Sequence, residues 1–174
     1  EWIEAFGLRA IVVPDIGDSL DGHLTDAEYS ALTLGGTPRS EIEIMGESAA
    51  TLVVGPSLNK AANILKARTG VPDYRFDGLM GLEACDAFTQ ALAEISGKPV
   101  PERIERQRAQ LQDALAATHF MTGFAGVALA GDPDLVASFA RFLTPKDAED
   151  VRAYVIDEAK KAQSGQATVA MPLG

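Results

Sequence analysis

The chain has 174 residues, of which 47% are hydrophobic and 23% charged, and this balance excludes a disordered or fibrous protein. A formal net charge of -10 argues against a nucleic-acid partner, because phosphate-binding surfaces need clustered Lys and Arg. One cysteine excludes an internal disulfide, and no apolar run reaches the roughly 18 residues of a membrane span. We therefore expect a cytoplasmic protein that makes no membrane contact.

The first residues predict the last turn of a helix that Gly7 closes, and no signal peptide is visible, so we expect a mature or partial chain. Apolar runs bounded by turn residues then alternate with helical patterns, which is typical of a parallel sheet with crossover helices. Four strands are predicted, at residues 10–13, 51–54, 74–76 and 127–130. All but the third are expected to be buried on both faces.

Between the first two strands, residues 15–39 are rich in Asp, Gly, Ser and Thr and predict a docking or functional loop. Ser40 is expected to cap a short helix that runs to Gly46. Ser57 is expected to cap the helix after the second strand, and Gly70 to end it.

Two helices are predicted next. Apolar residues three or four apart indicate a helix from Gly81 to Gly97, and Pro101 occupies the first position of a longer one. The expected buried residues are Leu82, Cys85, Phe88, Leu92 and Ile95 in the first, and Ile104, Leu111, Leu115 and Thr118 in the second. The longer helix has an outer side of Glu, Arg and Gln.

The segment Asp132-Pro133-Asp134 predicts another helix start, with Asp132 as the cap, and Thr144-Pro145 predicts a final one. The expected organisation is a Rossmann-like α/β unit at 1–80, connecting helices at 81–121, a truncated α/β unit with a C-terminal helix at 122–162, and a flexible tail at 163–174.

The residues that carry chemistry in other proteins have plainer interpretations here. The glycine turns at Gly55 and Gly131 lack a complete dinucleotide or P-loop motif, which indicates ordinary helix starts. Cys85 on an apolar stripe is interpreted as a small buried hydrophobe. His119 is expected to be packed and His23 to be exposed at an interface. No catalytic, cofactor-binding or metal-binding residue is predicted.

Seven segments occur in the order typical of the nitrogenase component 1 family, which the chain resembles. They are PDIGDSLDGHL, LGGT, SAATLVVG, TGVPDYRFD, GLEACDAF, ISGKPVPERIERQRAQLQDAL and GDPDL. SLDGHL favours a beta-type subunit of the scaffold that assembles the iron-molybdenum cofactor. The catalytic beta subunit of a nitrogenase-like reductase is the alternative.

The resemblance implies Rossmann-like domains and an alpha-type scaffold subunit as partner. It also implies an iron-sulfur cluster or an iron-molybdenum cofactor precursor in the assembled complex. This chain alone is expected to bind none, because Cys85 matches no cluster-ligand position of the family. Residues 138–162 also resemble the C-terminal helix of the haem domain in quinoprotein alcohol dehydrogenases. Covalent haem is excluded, since it requires CxxCH.

We therefore expect a non-catalytic docking role, with an enzyme part left open. A stand-alone small-molecule-binding α/β domain is a further alternative. The expected docking surfaces are the loop at 15–39 and the helices at 81–121. The residues predicted at such an interface are Asp21, His23, Arg106, Arg108 and His119.

Overall fold

A computed structural model describes residues 1–17, 35–122 and 128–143, with the side chains of all of these except 118–122. The helices are α1 (Trp2–Ala5), α2 (Arg39–Glu43), α3 (Asn59–Thr69), α4 (Leu82–Ser96), α5 (Glu102–Thr122) and α6 (Pro133–Leu143). The strands are β1 (Thr51–Val54) and β2 (Asp73–Phe76), and short 3-10 helices span Met45–Glu47 and Pro56–Leu58. The described elements form an α/β fold, as predicted.

The sheet in the described part of the chain has two parallel strands, and α3 is the crossover between them. Thr51 lies opposite Asp73, and Val54 lies opposite Phe76. The β-branched run in β1 favours this extended backbone. Both strands lie where the sequence predicts them, with β2 one residue longer at its start.

Two other strand predictions need correction. Residues 10–13 form no strand, Val13 lies in a turn, and Val12 and Val13 are about half exposed. A polar contact holds this segment instead, because the Thr37 hydroxyl donates to the Val12 carbonyl and accepts from the Asp15 amide. In the predicted strand at 127–130, residues 128–130 are described and form no strand.

The prediction that β1 is buried on both faces is also wrong. Only Val53 is buried, and Val54 is 38% exposed. A parallel strand is covered on both faces only when helices pack on both. Here, among the described residues, β1 has β2 as its one neighbouring strand, so apolar composition overstates its burial.

The hydrophobic core joins α1 to α4 and α5. Its buried members are Phe6, Phe88, Leu92 and Ile104, and Leu92 is fully buried. The rings of Trp2 and Phe76 each pack against the Phe88 ring in a T-shaped arrangement, with ring centroids 5.4 and 5.2 Å apart. These T-shaped pairs are favourable for aromatic rings, and they connect α1 and β2 to α4.

The helix ends agree with the sequence better than the helix starts. Gly70 and Gly97 adopt the left-handed conformation after α3 and α4, as predicted. Ser40, however, lies inside α2, and Ser57 lies inside the 3-10 helix before α3, so neither caps as predicted. The N-cap residues of α2 and α3 are instead Pro38 and Leu58, and neither makes a side-chain capping bond. The serines therefore do not determine where these helices start.

The long helix α5 begins one residue after Pro101, whose carbonyl accepts from the Ile104 and Glu105 amides at 2.8 and 3.2 Å. Its predicted buried side is only partly confirmed. Ile104 is buried, whereas Leu111 is 40% exposed because little of the described chain packs against the middle of α5. The predicted loop residues 18–34, the final helix after residue 143 and the tail lie outside the described residues.

Candidate functional site

The carboxyl end of β1 turns into the 3-10 helix through Gly55, whose φ is 102°. The Ser57 amide donates to Oδ2 of Asp134 at 2.9 Å, so a side chain from α6 reaches this turn. A Cβ atom on Gly55 would lie 2.6 Å from the same oxygen. A strand-to-helix turn of this kind can hold a phosphate through its amides. Here a carboxylate of the same chain occupies the position.

Asp132 and Asp134 lie in the same turn but cap two different helices. Oδ1 of Asp132 accepts from the amides of Asp134 and Leu135 at 3.0 and 3.2 Å, which confirms Asp132 as the cap of α6. Asp134 instead caps the turn that follows β1. The sequence predicts a helix start at these acids, but not that Asp134 caps a different helix, the one that follows β1.

One face of α6 lies against three glycines. Asp134, Ser138 and Phe142 are four residues apart and share a helix face, and their neighbours are Gly55, Gly78 and Gly81 respectively. A Cβ on Gly78 would lie 2.1 Å from Ser138 Oγ and 2.6 Å from its Cβ. An ion pair between Arg141 and Asp77, at 2.8 Å, borders the contact. The glycines thus allow α6 to approach the sheet closely.

Beside this contact is a cleft of about 670 Å³, between α6, the end of β2 and the start of α4. Phe76, Met80, Leu82, Ala137 and Phe142 supply apolar lining, and Arg141 supplies charge. Open α/β sheets commonly bind ligands outside the carboxyl ends of their strands. Part of that edge is already covered here by α6.

A second groove, of about 470 Å³, lies between α4 and α5. Its lining is mostly apolar and includes Trp2, Cys85, Val100, Ile104 and Leu111. Exposed apolar surface along a helix pair is typical of protein docking sites, where an apolar side chain of a partner fills the groove. The partly exposed Leu111 makes this groove the candidate docking surface.

A bidentate ion pair borders the groove. Nε and Nη2 of Arg108 donate to the two carboxylate oxygens of Asp86 at 2.6 and 2.7 Å, and this pair ties α5 to α4. The hydrogen bond from Arg108 lowers the pKa of Asp86, and the same bond raises the pKa of Arg108. Both groups are about half exposed, so the pair orients the helices more than it stabilises the fold.

The five residues predicted at an interface are distributed as follows. Arg108 lies at the groove and is engaged by Asp86, whereas Arg106 is exposed on α5. Asp21 and His23 lie outside the described residues, and His119 is described only as backbone within α5. The structure therefore brings one of them to the groove, and their role at an interface stays a prediction.

Cys85 is a partly buried thiol whose Sγ donates to the Leu79 carbonyl at 3.3 Å. Burial, and then the nearby charge of Asp86, raises the pKa of Cys85, which favours the neutral thiol over a metal-binding thiolate. Among the side chains that the structure describes, no group of three or more His, Cys, Asp or Glu residues is arranged to hold a metal ion. None of the described helices has the length and apolarity needed to cross a membrane.

The sequence does not predict the polar network at the start of β2. The Asp73 carboxylate is 4% exposed and pairs with both Lys66 and Arg75. Arg75 also donates to Asn63 at 2.6 Å and Asn59 at 3.3 Å, which ties β2 to α3. The hydrogen bond from Lys66, and then that from Arg75, lowers the pKa of Asp73. An acid two residues before an arginine is too common a pattern to predict such a network.

The fold is a strand-helix-strand unit of Rossmann type, extended by a helix pair with a groove between its two helices. Residues 1–171 match the family described as nitrogenase component 1 type oxidoreductase, and the chain belongs to that family. The match includes residues 138–162, so that segment groups with this family rather than with haem domains.

Among curated relatives, the chain is similar to the nitrogenase iron-molybdenum cofactor biosynthesis protein NifN of Klebsiella pneumoniae, with 44% identity over 146 residues. It is 50% identical to NifN of a Nostoc species over 143 residues. Each alignment covers 82% of this chain and 32% of the relative. The chain thus spans about a third of the length of the curated relatives it matches.

A solved structure, "Nitrogenase Cp1 at pH 6.5", contains a chain with a similar fold. The TM-score is 0.72 at 29% sequence identity, and the alignment covers 97% of this chain and 39% of that one. The likeness supports the α/β assignment over most of the sequence.

Proposed function

We propose that this chain is part of a NifN-type scaffold subunit that acts in the cytoplasm without catalysing a reaction, by docking to an alpha-type scaffold subunit. The observation that carries the proposal is the 44% to 50% identity to NifN proteins over four fifths of the chain. The name of those relatives gives their role as biosynthesis of the iron-molybdenum cofactor. In this proposal the cofactor precursor is the cargo of the assembled complex.

The described side chains fit docking better than cluster ligation. An iron-sulfur cluster needs several thiolates, whereas Cys85 is the only cysteine, its thiol donates a hydrogen bond to a carbonyl, and its pKa is raised. We therefore assign this chain no ligand to the cargo. What it offers is the groove between α4 and α5, with Leu111 exposed at its edge.

The test is an anaerobic size-exclusion run with light scattering, in which this chain is mixed with the alpha-type scaffold subunit. We expect one mixed peak whose mass is the sum of the partners. Leu111→Ala should weaken that peak, because truncation removes apolar surface from the groove. Leu135→Ala is the matched control, since Leu135 is also exposed, at 58%, but lies on α6. Separate peaks for the unmodified folded chain would refute docking through these residues.

A second candidate is part of the beta subunit of a nitrogenase-like reductase. The similarity to a chain of the nitrogenase structure favours it, because it extends over nearly the whole sequence. Electron-dependent substrate reduction by the complex reconstituted with a catalytic alpha subunit would support this candidate. Assembly without reduction, together with transfer of cofactor precursor, would support the scaffold.

A further inference from the structure

The contact between α6 and the carboxyl edge of the sheet joins two parts of the chain that are far apart in sequence. Ser57 and Asp134 are separated by 77 residues, yet the Ser57 amide donates to the Asp134 carboxylate at 2.9 Å. Neither the 3-10 helix Pro56–Leu58 nor α3 receives a cap bond from its own N-cap side chain. The helical segment after β1 therefore depends on α6 for this capping contact.

The other end of the contact is steric rather than polar. Gly78 leaves the space that Ser138 fills, and Gly81 leaves the space that one edge of the Phe142 ring fills. Val136 and Ala140 on α6 are both buried, at 6% and 3% exposure. Because α6 is one rigid helix, its fit at Gly78 determines where its first turn lies.

We propose that docking of α6 and order of the first turn after β1 are coupled, so that loosening α6 at Gly78 releases the Asp134 cap at Ser57. The carboxyl edge of the sheet then has two states. In the closed state α6 covers the edge, and the Asp134 carboxylate accepts the hydrogen bond from the Ser57 amide. In the open state the turn loses its cap and the edge is exposed.

The test perturbs one end and reads the other by amide hydrogen exchange in NMR spectra of the full 174-residue chain. Gly78→Ala inserts a Cβ against Ser138, and the φ of Gly78 is not in the left-handed region, so the change tests space alone. We expect exchange at Ser57 to accelerate about tenfold or more, as for loss of a charged hydrogen bond. In a Ser138→Gly background, which removes both clashing atoms, the same substitution should change exchange at Ser57 little.

Two results would overturn the coupling. Faster exchange at Val136 and Ala140 with no change at Ser57 would show that the two ends move independently. No change at any of the three amides would show that α6 does not rest on Gly78. If Gly78→Ala prevents folding, Asp134→Ala tests the reverse direction, with the exposed Asp113→Ala on α5 as the matched control. The proposal then requires faster exchange at Ala140 in Asp134→Ala but not in the control, and unchanged exchange refutes it.

Discussion

Leu92→Ala and Leu111→Ala form the most direct test of the fold, because the sequence predicts both leucines to be buried. In the structure Leu92 is 0% exposed within the core of α1, α4 and α5, whereas Leu111 is 40% exposed at the groove. Removing a fully buried leucine side chain costs about 2.4 kcal/mol in transfer free energy, counted as three CH₂ equivalents. The cavity left behind raises the expected loss of unfolding free energy to about 3–4 kcal/mol.

For Leu111 the loss should be about 1 kcal/mol or less, since the groove is open and leaves no sealed cavity. The assay is urea unfolding followed by far-ultraviolet circular dichroism at fixed protein concentration, with equal slopes required for comparison. The melting temperature of Leu92→Ala should also fall by about 6–16 °C. Equal losses for the two variants would refute the reasoning, because they would place Leu111 in a core or Leu92 outside one.

Three further predictions concern single polar or glycine positions. Because Lys66 and Arg75 lower the pKa of Asp73, its contribution to stability is present above the unfolded pKa and is lost as the pH falls through the folded pKa. Asp73→Asn should therefore flatten the fall of the urea midpoint below about pH 4, and an unchanged pH profile would contradict this. The raised pKa of Cys85 predicts alkylation by iodoacetamide at neutral pH that is slower than for a cysteine in a short peptide; an equal rate would count against burial. Gly70→Ala should cost about 1 kcal/mol from its positive φ alone, as nothing lies within 4 Å of an added Cβ, and a neutral result in urea unfolding would argue against the left-handed end of α3.

Features set by local chemistry were predictable from the sequence. A β-branched run between turn residues marked β1, and glycines marked the ends of α3 and α4, because extended backbone and left-handed caps are local preferences. The Asp132 cap was predictable for the same reason. The family could also be assigned, since ordered motifs survive where periodicity alone is ambiguous.

Features that depend on distant neighbours were not predictable. The apolar pattern at 10–13 predicts a strand. A strand needs a neighbouring strand to pair with, and the described residues place none beside Val12 and Val13. Serine is a residue type that often caps helices, yet at Ser57 the capping side chain is that of Asp134, 77 residues later. The groove depends on how α4 packs against α5, and this packing leaves Leu111 partly exposed although its helical spacing predicts burial.

The occupied edge of the sheet bears on the choice between a scaffold and a stand-alone ligand-binding domain. A Rossmann-type unit that binds an anionic ligand presents free amides at its strand-to-helix turn. In this chain the Ser57 amide is bonded to the Asp134 carboxylate, and a phosphate placed there would meet that negative charge. The groove between α4 and α5 differs, because its lining surface is mostly apolar, Leu111 is partly exposed there, and Arg108 is already paired with Asp86. Apolar surface beside satisfied charges suits a protein partner better than an anionic metabolite, which favours docking as the role of this part of the molecule.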